Sequence, residues 1–294
     1  MRYTLRQLEV FLAVARGESV SRAADDLAMS QSAVSGALID LERQFDIQLF
    51  DRIGKRLQLN ALGRSLRPRA EALTEQAREI EHALAERSDT GPLRIGATLT
   101  IGNYVTIPIM AAFLSRYPGA HVSLEIANTA EIARKVTNFE IDVGLVEGEL
   151  SVDELEVTPW SHDELAVFCS NEHPLARKRA LDEDDLREVG WIVRESGSGT
   201  RQAFDRAMSG ILPNLRVVLE LQHTEAILSA VEAGLGIGCL SRLALRDAFQ
   251  SGRLQECFVP GRDFRRQFFF VLHRQKYRST GIQRWLELCR AHAA

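Results

Sequence analysis

Three hydrogen-bonding side chains, Gln31, Ser32 and Ser35, stand together in the segment Ser30-Gln31-Ser32-Ala33-Val34-Ser35-Gly36-Ala37-Leu38. Gln31 and Ser35 are four apart, so a helix puts them on one face with Ser32 beside them. A glutamine amide pairs with an adenine edge, and a serine hydroxyl donates to a base or a phosphate; this is chemistry for nucleic acid. A second set of hydroxyls lies far downstream, in Thr98-Leu99-Thr100-Ile101-Gly102-Asn103, in Asn128-Thr129 and in Glu195-Ser196-Gly197-Ser198-Gly199-Thr200. Each run precedes a helical pattern, and a helix start offers free N–H groups and partial positive charge to a small anion. The expected ligand contacts are Thr98, Thr100, Ile101, Gly102, Asn103, Thr129, Ser196, Gly197, Ser198, Gly199 and Thr200, with His223 before a further helix. Glu147 is included on a condition: a carboxylate suits such a site only where it points at amides or hydroxyls.

Catalytic and metal chemistry find no matching pattern. Gly234-Leu235-Gly236-Ile237-Gly238 resembles a dinucleotide loop, but it leaves a helix and enters a strand, the reverse of the required order. Ser198 lacks the leading glycine of a nucleophile elbow, because Glu195 and Ser196 stand there. The four cysteines, Cys169, Cys239, Cys257 and Cys289, have no metal-ligand spacing and read as reduced thiols of a cytoplasmic protein. No metal and no cofactor are expected. Arg6 and Glu9 interrupt the first apolar segment, which argues against a cleavable signal there. No window approaches the roughly 20 apolar residues that span a bilayer, so no membrane partner is expected.

The net charge of −4 conceals an uneven distribution. Residues 1–69 carry 11 Lys and Arg against 8 Asp and Glu, a net of +3, which leaves −7 for the remainder. From Arg52 to Arg69 there are six basic residues and no acidic one, a local patch suited to phosphate.

The elements that must position these groups follow from periodicity. Leu5, Leu8, Phe11, Leu12 and Ala15 mark a first helix ending at Gly17, and Ser19 or Ser21 caps a short second one. Ser30 caps a third, with Val34, Leu38, Leu41 and Phe45 as its buried stripe. Ile47–Leu59, turning at Gly54, predicts a two-stranded wing whose tip carries Arg52, Lys55 and Arg56. Two helices, a turn and a basic wing compose a winged helix-turn-helix, so Arg52, Lys55, Arg56 and Arg64 join Gln31, Ser32 and Ser35 as expected contacts to double-stranded DNA. Ala61 to about Arg87 is rich in helix formers and would span about 40 Å. Leu66, Leu73, Ile80 and Leu84 repeat along it at near-heptad spacing, which calls for a partner helix; Pro68 kinks the run or marks a late start. Ser88-Asp89-Thr90-Gly91-Pro92 is the clearest boundary. Beyond it short strands alternate with helices, predicting mainly parallel sheets in two lobes with a cleft between them.

Residues 1–87 resemble the winged helix-turn-helix and linker helix of LysR-type transcriptional regulators. The resemblance rests on Leu5-Arg6-Gln7-Leu8-Glu9-Val10-Phe11, Ser21-Arg22-Ala23-Ala24, Ser30 through Glu42, Leu49-Phe50-Asp51-Arg52 and Gly63-Arg64. Relatives often carry arginine after the position of Ser35, where this chain has Gly36, so no contact is carried over there. The C-terminal part is similar to the periplasmic-binding-protein-like effector domain of the same family. Its Ser196–Thr200 loop and Asp142-Val143-Gly144-Leu145-Val146-Glu147-Gly148 resemble the branch that regulates sulfur assimilation and carbon fixation. The resemblance implies an α+β chain: a DNA-binding domain over 1–60, a linker and dimerisation helix with hinge over 61–91, and an effector domain over 92–294. Within the last, lobe 1 spans about 92–161 plus 267–294 and lobe 2 about 162–266. It implies a cytoplasmic bacterial regulator, a homodimer or homotetramer, that meets promoter DNA and RNA polymerase and answers a small anion such as sulfate, sulfite, a carboxylate or a phosphometabolite. An effector-independent DNA-binding protein and an α/β enzyme are the alternatives.

Overall fold

The computed structural model describes residues 2–53, 56–84 and 90–292. Helices α1 (Leu5–Gly17), α2 (Val20–Asp26) and α3 (Gln31–Phe45) form the N-terminal core. Thr4 and Gln7 close a reciprocal capping box on α1, Glu18 ends it with a left-handed φ of 48°, and Ser19 caps α2. Ser30 caps α3 by accepting from the Ala33 N–H at 3.2 Å. Phe11, Val14, Val34, Leu38, Leu41 and Leu49 pack beneath these helices. Phe45, expected in that stripe, is instead 41% exposed, because α3 outlasts the small core. Strands β1 (Phe50–Ile53) and β2 (Arg56–Leu59) pair antiparallel as the wing; its predicted turn at Gly54, and Lys55, lie outside the described residues. Helix α4 (Ala61–Leu84) contains Pro68 without ending there, although one backbone hydrogen bond is forfeited. It starts hard against the wing: a Cβ on Gly63 would come within 2.2 Å of the Leu49 carbonyl oxygen.

The rest is a two-lobed α/β body. One lobe is laid down by β3 (Pro92–Ala97), α5 (Leu99–Ile101), a π-turn at Gly102–Thr106, α6 (Ile107–Arg116), β4 (His121–Ile126), α7 (Thr129–Thr137) and β5 (Val143–Glu147). The long strand β6 (Leu155–Ser170) leads to the other lobe, built from α8 (Glu183–Glu188), β7 (Gly190–Arg194), α9 (Gly199–Ala207), β8 (Arg216–Leu221), α10 (Thr224–Glu232), β9 (Ile237–Ser241), α11 (Arg242–Gln250) and β10 (Leu254–Cys257). Strand β11 (Arg265–His273) then returns the chain to the first lobe, where α12 (Thr280–Ala291) closes it.

The expectation of mainly parallel sheets needs correction. Strand β3 runs parallel to β4 and β5, and β7 parallel to β8 and β9, but β11 and β6 are antiparallel to all their neighbours. The order β4-β3-β5-β11-β6-β9-β7-β8 makes one continuous path through both lobes. The reason is β6: its first half pairs with β11 and its second half with β9 and β10. That first half, Leu155–Glu164, is only partly buried and so carries little apolar signal.

At the base of the first lobe, Asp142 accepts from the Arg94 backbone N–H at 2.8 Å and Arg94 Nη2 at 2.7 Å, with Lys276 Nζ at 2.8 Å. Burial alone would raise its pKa, but Lys276 and Arg94 outweigh that and bring it from 3.8 down to about 2. A depressed acid stabilises the fold above its unfolded pKa and loses that contribution as pH falls through the folded one, here about 2 kcal/mol at neutral pH. Asp142→Asn is therefore expected to be less stable than wild type at pH 7, with the gap narrowing as pH drops from about 4 toward 2. Urea titrations across that range check it; a gap independent of pH would refute the assignment.

Candidate functional site

Helix α3 presents the first candidate surface. Gln31 and Ser32 are exposed and Ser35 is half-buried, so the face read from the sequence is open. Ser32 Oγ lies 3.0 Å from the capping Ser30 Oγ. A Cβ on Gly36 would meet nothing within 4 Å, leaving room beside Ser35 for a partner. Ser35, Ile39, Gln48 and Arg52 line a groove of about 310 Å³.

Arg52 and Arg56 of the wing do not act as one cluster. In the antiparallel register Arg52 faces Leu57 and Ile53 faces Arg56. Side chains alternate, so Arg52 and Arg56 lie on opposite faces of the hairpin. Arg52 shares the groove of Ser35, whereas Arg56 and Arg64 line a separate cavity on the side of the effector body. Arg64 also donates to the Leu59 carbonyl at 2.5 Å.

The second candidate surface lies where the two lobes meet, at the C-terminal ends of their parallel strands, the usual ligand position in open α/β sheets. Thr98 follows β3, Thr129 follows β4, Glu147 ends β5 and Ser196–Thr200 follow β7. Thr98 stands at the start of α5 without capping it; its hydroxyl donates to the Glu147 carboxylate. Thr129 Oγ1 donates to the Glu147 carbonyl at 2.7 Å and accepts from the Gly199 N–H at 3.2 Å, tying the lobes together. A Cβ on Gly199 would stand 2.0 Å from that same carbonyl, so only glycine permits this approach. Asn128 Nδ2 adds a bond to Glu195 at 3.3 Å, and Glu195 is held in turn by Arg194.

The sequence reading missed the group at the centre. Arg266, at the start of β11, is buried between Asp163, bonded at 2.7 Å, and Glu147, 3.4 Å away. Its Nη1 donates to Thr200 Oγ1 at 2.9 Å and its Nη2 to Thr100 Oγ1 at 3.1 Å, so one guanidinium gathers hydroxyls from both lobes. As acceptors, those hydroxyls each retain an O–H to donate. The one signal in the sequence was a charged pair, Arg265-Arg266, separated by Gln267 alone from the apolar run Phe268–Leu272.

The remaining expected contacts divide. Gly197 arches over the site with a φ of +87°, and Ser198 caps α9 by accepting from the Thr200 N–H at 3.2 Å. Ile101 packs into the core of the first lobe, and Gly102 is pressed against Ile126. Asn103, Ser196 and His223 are exposed, and the structure brings none of their side chains into the Arg266 network.

A winged helix-turn-helix on a long helix, followed by two α/β lobes closed around a buried polar cluster, defines a class: a DNA-binding regulator with an effector domain. Comparison with known proteins makes it specific. Residues 5–64 match the family "Bacterial regulatory helix-turn-helix protein, lysR family", and residues 86–294 match "LysR substrate binding domain". The chain belongs to the LysR-type transcriptional regulators, which are not enzymes. It is 45% identical over 289 residues to the uncharacterized HTH-type transcriptional regulator YeiE of Escherichia coli (strain K12), covering 98% of each chain. It is 33% identical over 296 residues to the RuBisCO operon transcriptional regulator of Allochromatium vinosum, covering 100% of this chain and 98% of that one. Among solved structures, a full-length OxyR variant from Pseudomonas aeruginosa covers 100% of this chain and 95% of its own, at a TM-score of 0.74 and 20% identity. The CcmR regulatory domain of Synechocystis PCC6803 in complex with 2-PG covers 69% of this chain and 97% of its own, at a TM-score of 0.64 and 29% identity. None of the helices among the described residues is long and apolar enough to cross a membrane.

The open space at Gly36 gives a direct test of how α3 is built. Gly36→Ala removes a poor helix former without a clash and is expected to raise stability by about 0.8–1 kcal/mol, read as a higher urea midpoint. A lower midpoint would show that the exposed face is more crowded than these contacts allow.

Proposed function

We propose that this regulator reads DNA through Gln31, Ser32, Ser35 and Arg52 and is switched by a small oxyanion or carboxylate held between the lobes. The observation that supports the effector reading most is Arg266, one buried cation joined to Thr100 of one lobe and Thr200 of the other. Glu147 then acts as a placeholder. Its carboxylate takes the Thr98 hydroxyl and stands 3.4 Å from Arg266, the contacts an entering anion needs. With Asp163 on the other side of Arg266, the cluster sums to −1, so an anion is admitted only as Glu147 gives way. The uncapped start of α5 adds free N–H groups. Sulfate and sulfite fit this set of donors, as do a small carboxylate and a phosphometabolite; the CcmR regulatory domain bound to 2-PG is a related precedent.

Two copies would join along α4. Leu73 is 36% exposed, Ile80 61% and Leu84 80%, and the near end of this stripe borders an apolar groove of about 560 Å³ lined by Tyr3, Leu41, Phe45, Leu62 and Leu66. Apolar side chains repeating along an exposed helix are covered by a second helix. A dimer of this kind, or a tetramer built from two, would place two α3 helices on successive half-sites of DNA and leave a surface for RNA polymerase.

Both halves of the reading are measurable. Gln31→Ala and Ser35→Arg are expected to lower affinity for the protein's own operator at least tenfold with unchanged thermal unfolding; footprints identical to wild type would remove this face from the interface. Millimolar sulfate, sulfite and small carboxylates are screened by thermal shift, and at least one should stabilise the protein. Glu147→Gln should then bind that anion about tenfold more tightly, a difference of about 1.4 kcal/mol. Stabilisation by none of them would favour an effector-independent DNA-binding protein.

A further inference from the structure

A cationic cavity lies outside the interlobe cleft. It occupies about 600 Å³ where the DNA-binding domain, the base of α4 and the first lobe come together. Arg16 at the end of α1, Arg22 on α2 and Arg56 on the wing line it from one side, Arg64 and Arg67 of α4 from another, and Arg134 of α7 from the third. Against these six arginines stand Glu18 and Glu140 in the lining and, just behind it, Glu131 and Glu71; Arg134 is already paired with Glu140 at 3.0 Å and Glu131 at 2.7 Å, and Glu71 lies near Arg67. Among the described residues, Arg16, Arg22, Arg56, Arg64 and Arg67 form no salt bridge. Guanidinium groups converging with fewer carboxylates than cations repel one another, and that repulsion is relieved by an anion.

Arg67 is the second, independent observation. It is 8% exposed, its Nη2 donates to the Asn138 carbonyl at the end of α7, and its Nε is buried without a hydrogen-bond partner, as is Oε1 of the buried Glu71 one turn further along α4. Burial holds its pKa below the ordinary arginine value despite Glu71 nearby. A buried guanidinium with an unused N–H is costly unless an acceptor completes it. The lining sums to +4, which Glu131 on Arg134 and Glu71 beside Arg67 reduce to +2, still one charge more than a singly charged carboxylate supplies. Planar guanidinium forks match phosphoryl oxygens in bidentate fashion.

We infer that this junction cavity is a second effector site, which takes a small molecule carrying two or more phosphoryl groups. Its lining comes from three parts of the chain, so an occupant bridges them and holds the DNA-binding domain at one angle to the effector body. The cleft around Arg266 would sense one anion while the junction senses another. A DNA phosphodiester presents the same chemistry to Arg56 and Arg64, so the measurement is made without DNA.

Isothermal titration of full-length protein with pyrophosphate, in the absence of nucleic acid, is expected to show saturable binding at one site per chain. Arg22→Gln, which alters an exposed side chain, should weaken it at least tenfold, and Arg67→Lys should do the same. The Thr100→Val/Thr200→Val double variant, altered only in the interlobe cleft, should bind pyrophosphate as wild type does. Inorganic phosphate and sulfate should bind at least tenfold more weakly than pyrophosphate. No saturable binding at millimolar pyrophosphate would overturn the inference. So would binding that survives both arginine substitutions, or binding abolished by the threonine pair, which would return the anion to the cleft.

Discussion

A guanidinium buried where two lobes meet has to be answered from every side, and the arrangement of the effector domain follows from how Arg266 is answered. Asp163 and Glu147 supply charge, and Thr100 and Thr200 supply acceptors from opposite lobes. These partners come from the bridging strand β6, the end of β5 and the starts of two helices, so they converge only when the lobes close. Leaving a buried cation short of partners costs more than a surface ion pair returns, so closure and the polar cluster stabilise each other.

The backbone around this cation is fitted just as closely. Thr129 joins the Glu147 carbonyl to the Gly199 N–H, and Gly199 lacks the Cβ that would collide there. A domain closed through polar links can be biased by a ligand that replaces one of them, because a ligand shifts an equilibrium only by its differential contacts with the two states. The DNA-binding end is organised differently. Its core is apolar, the Gln31–Ser32 face of α3 is open, and Arg52 and Arg56 lie on opposite faces of the wing. Arg56 is turned toward the effector body, where it lines a cavity with Arg64 and Arg67 of α4 and Arg134 of α7.

Much of this was legible before any coordinates. The helices at Leu5–Gly17 and Gln31–Phe45, the cap at Ser30, the wing strands and the long helix from Ala61 follow from local periodicity and turn chemistry. The hydroxyl loops at Thr98–Thr100 and Ser198–Thr200 were found because helix starts carry a local signature. Other features had no local signature. Phe45 looks like core by spacing, but the core ends before it. The first half of β6 is half-polar because it lies across a junction and not inside one lobe. Ile101 and Gly102 sit in the right loop, yet they serve packing.

The sequence by itself determined most of the elements and their order, since those depend on residues within a few positions of one another. Tertiary structure alone decided that Arg266, more than a hundred residues from Thr100 and Glu147, completes the cleft. It also decided that Arg52 and Arg56, four apart, face opposite ways, and that Arg67 meets the end of α7. Charge is long-ranged and unsatisfied when buried, so its partners are chosen by the fold and not by neighbourhood in the chain.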